Sequence, residues 1–186
     1  AIAIGVAIFP TLSEQVALKK FEEFKRMSLL GLRSIYFIAL PSAVVLIVLR
    51  VPIIRFLFQQ GQFTESATQA TATALLFYSF GIIGYSAIQV LNRIFYSLKN
   101  TKIPVVSSII SMIINIVLNF QLIGVMGHGG LALAYSFAGF FNMLLLLFLL
   151  WRKVGSMNFL QLTVSFFQSA LASILAGIGS LGTAYY

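Results

Sequence analysis

Residues 103–151 read IPVVSSIISMIINIVLNFQLIGVMGHGGLALAYSFAGFFNMLLLLFLLW, and no acid, lysine or arginine interrupts them. About 20 apolar residues, each rising about 1.5 Å in a helix, cross a hydrocarbon core of about 30 Å. The stretch is too long for one crossing and carries a turn signal, Gly124-Val125-Met126-Gly127-His128-Gly129-Gly130. It divides into spans near 103–123 and 130–151. Working outward, residues 66–92 and 154–186 are also free of charged side chains. Further spans are expected near 29–49, 67–91 and 159–183.

Composition agrees. The chain of 186 residues is 60% apolar and 9% charged, where a soluble domain has roughly 45–50% and about 25%. No core of this size hides that excess. The fold class is therefore all-α, a polytopic transmembrane helix bundle. Acids are limited to Glu14, Glu22, Glu23 and Glu65, the histidine to His128, and aspartate and cysteine are absent. Cys/His metal clusters, disulfide frameworks and Ser-His-Asp triads are thereby excluded. No catalytic or cofactor-binding residue is assigned, and the chain does not read as an enzyme.

The net charge of +8 would suggest nucleic acid in a soluble protein, but its placement says otherwise. Lys19, Lys20, Lys25, Arg26 and Arg33 are counted before the first full span. Arg93, Lys99 and Lys102 follow the second, and Arg152 and Lys153 the fourth. With alternating spans these ten fall on one side, against Arg50 and Arg55 on the other. Such a bias marks the cytoplasmic face. The charge is a topology signal, and no nucleic-acid partner is expected.

Ala1–Leu12 (AIAIGVAIFPTL) is apolar but too short to cross. It reads as the tail of a span that begins upstream, and the chain as a fragment. Ser13–Met27 places Val16, Phe21, Phe24 and Met27 on one stripe with charges between. That pattern predicts an amphipathic helix on the inner membrane surface, with Thr11 and Glu14 as a capping box. Pro41 is expected to kink its span, and Pro52 to end that helix before a short interfacial piece, Ile53–Phe58, and a turn at Gly61. Arg93 is expected to snorkel to the interface. Small residues in Gly81–Gly84 and Ala170–Gly182 allow close helix packing.

The most specific internal polar feature is Asn115 with Asn119, four apart on one helical face. Two readings are open. The amides hydrogen-bond to a neighbouring helix as modest glue, or their oxygens help to coordinate a hard cation such as Na⁺.

Four strings then carry a resemblance. They are Phe9-Pro10-Thr11-Leu12-Ser13; Leu40-Pro41-Ser42-Ala43 with Leu57-Phe58-Gln59-Gln60-Gly61-Gln62-Phe63; Phe95-Tyr96-Ser97-Leu98-Lys99-Asn100-Thr101-Lys102-Ile103-Pro104; and Gly130-Leu131-Ala132-Leu133-Ala134. In order and spacing they resemble the second half of the MurJ (MviN) lipid II flippase family, within the superfamily of multidrug and oligosaccharidyl-lipid exporters. The string from Phe95 to Pro104 is the most specific.

The resemblance implies that residues 1–153 are a partial C-terminal lobe, from the end of span eight through span twelve. Residues 154–186 would belong to the additional C-terminal spans, as part of span thirteen. It implies transport of lipid II from the inner to the outer leaflet of the bacterial plasma membrane by alternating access, with membrane lipids and a missing N-terminal lobe as partners. It also implies a Na⁺ site at Asn115, Asn119 and Leu131, with Na⁺ as coupling ion. Two departures are visible: Asn119 stands where an aspartate is usual, and Tyr135 where a small hydroxyl residue is usual. The family's cavity arginines lie upstream, so no substrate-binding residue is assigned. Alternatives are another exporter of the superfamily, for polysaccharide-lipids or drugs, and a non-transporting membrane scaffold.

Overall fold

The computed structural model describes residues 1–60, 63–155 and 159–184. Among them are seven helices and no strand: α1 Ile2–Ala17, α2 Phe21–Val48, α3 Arg50–Phe58, α4 Glu65–Ser97, α5 Lys102–Met126, α6 His128–Val154 and α7 Phe159–Ala184. Among the described residues α2, α4, α5 and α6 are long and apolar enough to cross a membrane. The fifth expected span coincides in range with α7. The turn expected at Gly61 lies outside the described residues.

α4 is the hub. It packs against α1, α2, α3 and α6, while α5 leans on α6 and α7 on α2. The core joins Leu12 of α1, Phe24, Leu32 and Ile35 of α2, Leu91, Ile94 and Phe95 of α4, and Leu146 and Leu150 of α6. Small residues bring α4 and α6 together. A Cβ at Gly84 would stand 3.1 Å from the Gly139 carbonyl carbon, and one at Gly81 only 2.6 Å from Ser136 Oγ. That hydroxyl donates to the Phe77 carbonyl at 2.6 Å. The packing expected from Gly81–Gly84 is therefore a specific α4–α6 contact. In the second small-residue stretch, a Cβ at Gly177 would meet Val44 Cγ1 of α2 at 2.7 Å.

The sequence reading of Ser13–Met27 as one surface helix is corrected. α1 ends at Ala17 and α2 begins at Phe21. Between them Lys19 adopts φ 58°, with Lys20 N–H bonded to Gln15 O at 2.9 Å and Lys19 N–H to Val16 O at 3.1 Å. This is the paired bonding that closes a helix on a left-handed residue, usually glycine. Phe24, on the predicted stripe, is fully buried between helices instead of facing lipid headgroups. Thr11 and Glu14 lie inside α1 and cap nothing.

The Phe95–Pro104 string is built the same way. Lys99 has φ 55°, Asn100 N–H bonds to Phe95 O at 3.0 Å and Lys99 N–H to Tyr96 O at 2.9 Å. Asn100 Oδ1 then accepts the Ile103 N–H at 3.2 Å. Pro104 sits in the first turn of α5, where its missing N–H leaves no bond unmade. The string is thus a complete helix-stop, helix-start turn.

α2 runs through Pro41 without interruption and stops at Val48. Arg50 Nη1 donates to the Ile47 carbonyl at 2.7 Å, serving that helix end. Pro52 does not end a helix; it occupies the first turn of α3, so the short piece begins at Arg50 and not Ile53. α3 is tied to α4 by a closed network. Arg55 Nη2 reaches Glu65 at 2.8 Å, Arg55 Nε reaches Gln59 Oε1 at 3.0 Å, and Gln59 Nε2 returns to Glu65 at 3.0 Å. The seven-residue turn signal around His128 contracts to one residue, Gly127, with φ 55°. Its neighbour Gly130 has no room for a Cβ, which would stand 2.5 Å from Leu122 O.

Two stability effects follow from these contacts. Gly84→Leu forces the α4 and α6 backbones apart, and an overpacked contact of this kind costs about 1–3 kcal/mol; it should lower the thermal unfolding midpoint in detergent, with a midpoint equal to the parent's refuting the close-approach account. Lys99→Gly removes the left-handed strain and should stabilise by about 0.5–1 kcal/mol, seen as a raised midpoint in the same assay.

Candidate functional site

Asn115 and Asn119 lie in the second half of α5, and Leu131 in the first turn of α6. Asn119 Nδ2 donates to Asn115 Oδ1 at 3.2 Å. The pair is half-buried, and Asn115 Nδ2 and Asn119 Oδ1 have no hydrogen-bond partner. Asn119 and Leu131 line one cavity of about 350 Å³ with Ile116, Phe120 and Ile123. The structure therefore groups the three residues singled out from the sequence. What they offer a cation is the unpaired Asn119 oxygen, the Asn115 oxygen already used once, and main-chain carbonyls. Each of these is neutral, and the four glutamates lie elsewhere in the chain. Such a set has the oxygen donors that hard ions take, without charge to offset a divalent one.

The interhelical glue is made by other residues. Ser107 Oγ pairs with Asn142 Oδ1 at 2.7 Å, and Ser111 Oγ donates to the Ala138 carbonyl at 2.8 Å. Both hydroxyls are buried between α5 and α6. The spacing of Ser107 and Ser111 was the available signal, since residues four apart share a helical face. The asparagine amide is the more conspicuous polar group in an apolar run, but here its hydrogen bond stays within α5.

Tyr135 does not extend the asparagine site. Its ring stacks on Tyr85 of α4 at 4.4 Å, with planes 17° apart. Tyr78 meets it edge-on at 5.5 Å. Further along α4, Asn92 and Tyr96 line a second cavity, of about 270 Å³, against Pro104, Ser108 and Met112 of α5. Asn92 Oδ1 is buried without a partner.

The arginines divide by environment. Arg33 belongs to no loop; it lies within α2 and lines an open groove of about 730 Å³ with Ser34, Phe37, Ser165, Gln168 and Ser169, between α2 and α7. Arg93 is half-buried inside α4, its Cγ lying 3.2 Å from where a Cβ at Gly5 of α1 would be. Glycine at position 5 leaves room for that stem. Arg55 is engaged by Glu65 and Gln59 and is not a free cation.

Comparison with known proteins adds the family. The sequence model described as lipid II flippase MurJ matches residues 1–186. The probable lipid II flippase MurJ of Vibrio cholerae is 38% identical over 145 residues, 78% of this chain and 28% of its own length. The lipid II flippase MurJ of Burkholderia cenocepacia is 32% identical over 181 residues, 95% of this chain and 34% of its own. A solved structure of lipid II flippase MurJ in an inward closed conformation superposes with a TM-score of 0.79 at 28% identity, over 97% of this chain and 37% of that one. The chain thus spans about a third of the length of the relatives it matches. With the family model matched from end to end and the same helical arrangement, this chain belongs to the MurJ lipid II flippase family.

Proposed function

We propose that this chain is the second-half helix bundle of a lipid II flippase of the bacterial inner membrane. Within that longer protein it serves as one of the bodies that rock between inward-open and outward-open states. The observation that carries the reading is the family match along all 186 residues, accompanied by the fold of a solved member of the family. The physical task suits the architecture. A pyrophosphate and its sugars do not enter hydrocarbon unaided, because each desolvated charge is costly. A transporter solves this with a polar path between rigid helical bodies, which move about a site near the membrane midplane. The tightly packed α4–α6 pair is suited to move as a unit.

A second element of the proposal concerns coupling. Asn115, Asn119 and the Leu131 carbonyl form a weak monovalent-cation site, favoured by the buried, unpartnered Asn119 Oδ1 beside Leu131. Na⁺ bound there would supply positive charge that ties the end of α5 to the start of α6.

For the transport reading, depletion of the full-length protein should leave lipid II in the inner leaflet and halt wall growth. Undiminished appearance of lipid II in the outer leaflet, in cells without a second flippase, rejects it. For the ion, the thermal midpoint of the full-length protein in NaCl should exceed that in choline chloride, and Asn119→Ala should abolish the difference. Equal midpoints in the two salts eliminate the sodium site and leave the transport reading standing.

A further inference from the structure

α4 carries a polar and aromatic track that contacts within this chain cover only in part: Tyr85 stacks on Tyr135 and its hydroxyl donates to the Tyr135 carbonyl at 3.5 Å. Tyr78, Tyr85, Gln89, Asn92 and Tyr96 recur at helical spacing, within an arc of about 60° at 3.6 residues per turn. The opposite face, with Ala87, Val90, Leu91 and Ile94, is fully buried. The track itself is open or half-open along its whole length. It passes between the α6 side of the helix, marked by Gly81 and Gly84, and the α1 side, where Gly5 approaches Gln89 and Arg93. Tyr135 of α6 lies over Tyr85 and α5 flanks Asn92 and Tyr96, yet none of the five track residues is fully buried.

Its length matters. Tyr78 and Tyr96 are separated along the axis by about 27 Å, close to the thickness of the hydrocarbon core, about 30 Å. Two amides, an adjacent arginine and a row of phenols do not face lipid tails across that whole distance, because hydrocarbon satisfies none of their hydrogen-bonding groups. The track faces water, a polar ligand or a polar surface of the longer protein. Two further observations point to a ligand. Asn92 Oδ1 is buried and unpartnered at the edge of the α4–α5 cavity. Tyr135 of α6 stacks on Tyr85 and remains 41% exposed, with Tyr78 at 44%.

We infer that this track is a carbohydrate-binding face, along which the sugars of a lipid-linked head group are carried across the membrane. The chemistry is that of a neutral, hydroxyl-rich ligand. Aromatic rings present flat apolar surfaces to the C–H faces of pyranose rings, with a polar tip in reach of hydroxyls. Amides supply paired donors and acceptors for the ring substituents. Arg93, beside Asn92, is the one cation on this part of the helix and would meet the phosphate end of the same ligand. The inference rests on the lipid II reading and adds where the sugars are held, in a segment where no substrate residue was assigned.

The test uses the full-length protein in nanodiscs, titrated with lipid II and with undecaprenyl pyrophosphate, which has the same carrier and charge but no sugar. Asn92→Ala and Tyr135→Ala should each weaken lipid II binding by about tenfold, the loss of one good polar or stacking contact. Undecaprenyl pyrophosphate binding should be unchanged in both. Tyr135→Phe keeps the ring and should bind lipid II as the parent does. It also reports on the face should Tyr135→Ala fail to fold, as does Asn92→Ala at the cavity margin. Equal losses for both ligands, or no loss for lipid II, overturn the carbohydrate face while leaving the flippase reading intact. A parent protein that binds neither ligand refutes the flippase reading itself, and the face with it.

Discussion

The close approach of α4 to α6 is the contact on which the rest of the bundle depends. In a membrane the apolar surroundings give helices little hydrophobic reason to associate, so packing and hydrogen bonds must hold them. Gly81, Gly84, Gly139 and Ser136 let the two backbones meet, and the Ser136 hydroxyl closes on the Phe77 carbonyl. α6 in turn holds α5 through Ser107, Ser111 and Asn142. α4 presents its other faces to α1 and α2, and α2 carries α7. Loosening the first contact therefore disturbs each of the others.

A second constraint is that polar groups in this setting need partners. Most have them. Serine and threonine hydroxyls bond back to carbonyls of the preceding turn, as Ser13 does to Phe9 and Ser42 to Ile38. Arg50 serves a helix end, and Arg55, Gln59 and Glu65 satisfy one another. The exceptions are informative because an unmade buried bond is costly. Among the described residues Gln15, Ser28, Asn92, Asn115 and Asn119 each keep a buried polar atom without a partner. Of these, Asn92 and Asn119 line cavities at α4 and α5, and Asn115 is tied to Asn119 by a hydrogen bond of 3.2 Å.

The recognisable string from Phe95 to Pro104 owes its form to backbone geometry. A lysine in a left-handed position, an asparagine serving the next helix start and a proline inside its first turn together reverse the chain in a few residues. Lys19 closes α1 by the same geometry. On the side read as cytoplasmic, the basic residues that report orientation thus include two that also stop helices. The topology signal and the turn chemistry share side chains.

Local order and long-range order were legible to different degrees. Helix existence, approximate span limits and the short α3 could be read from apolar runs and charge placement, because the length of a crossing is set by the bilayer and not by the fold. The asparagine pair and its neighbourhood with Leu131 were also legible, the pair from spacing and the third member from family resemblance. The break after Ala17 was not, since it is made by a lysine with positive φ and by burial of Phe24 between helices. Nor was the role of Arg33, which counted as loop and lines the α2–α7 groove. The tyrosine track was present in the sequence at helical spacing, but in an apolar chain that pattern is silent about which face is covered. Composition and periodicity alone determined that the chain crosses a membrane as helices. Which faces of those helices meet, and which polar groups are left open to a ligand, only tertiary packing decided, because partners distant in sequence satisfy or fail to satisfy each hydrogen bond.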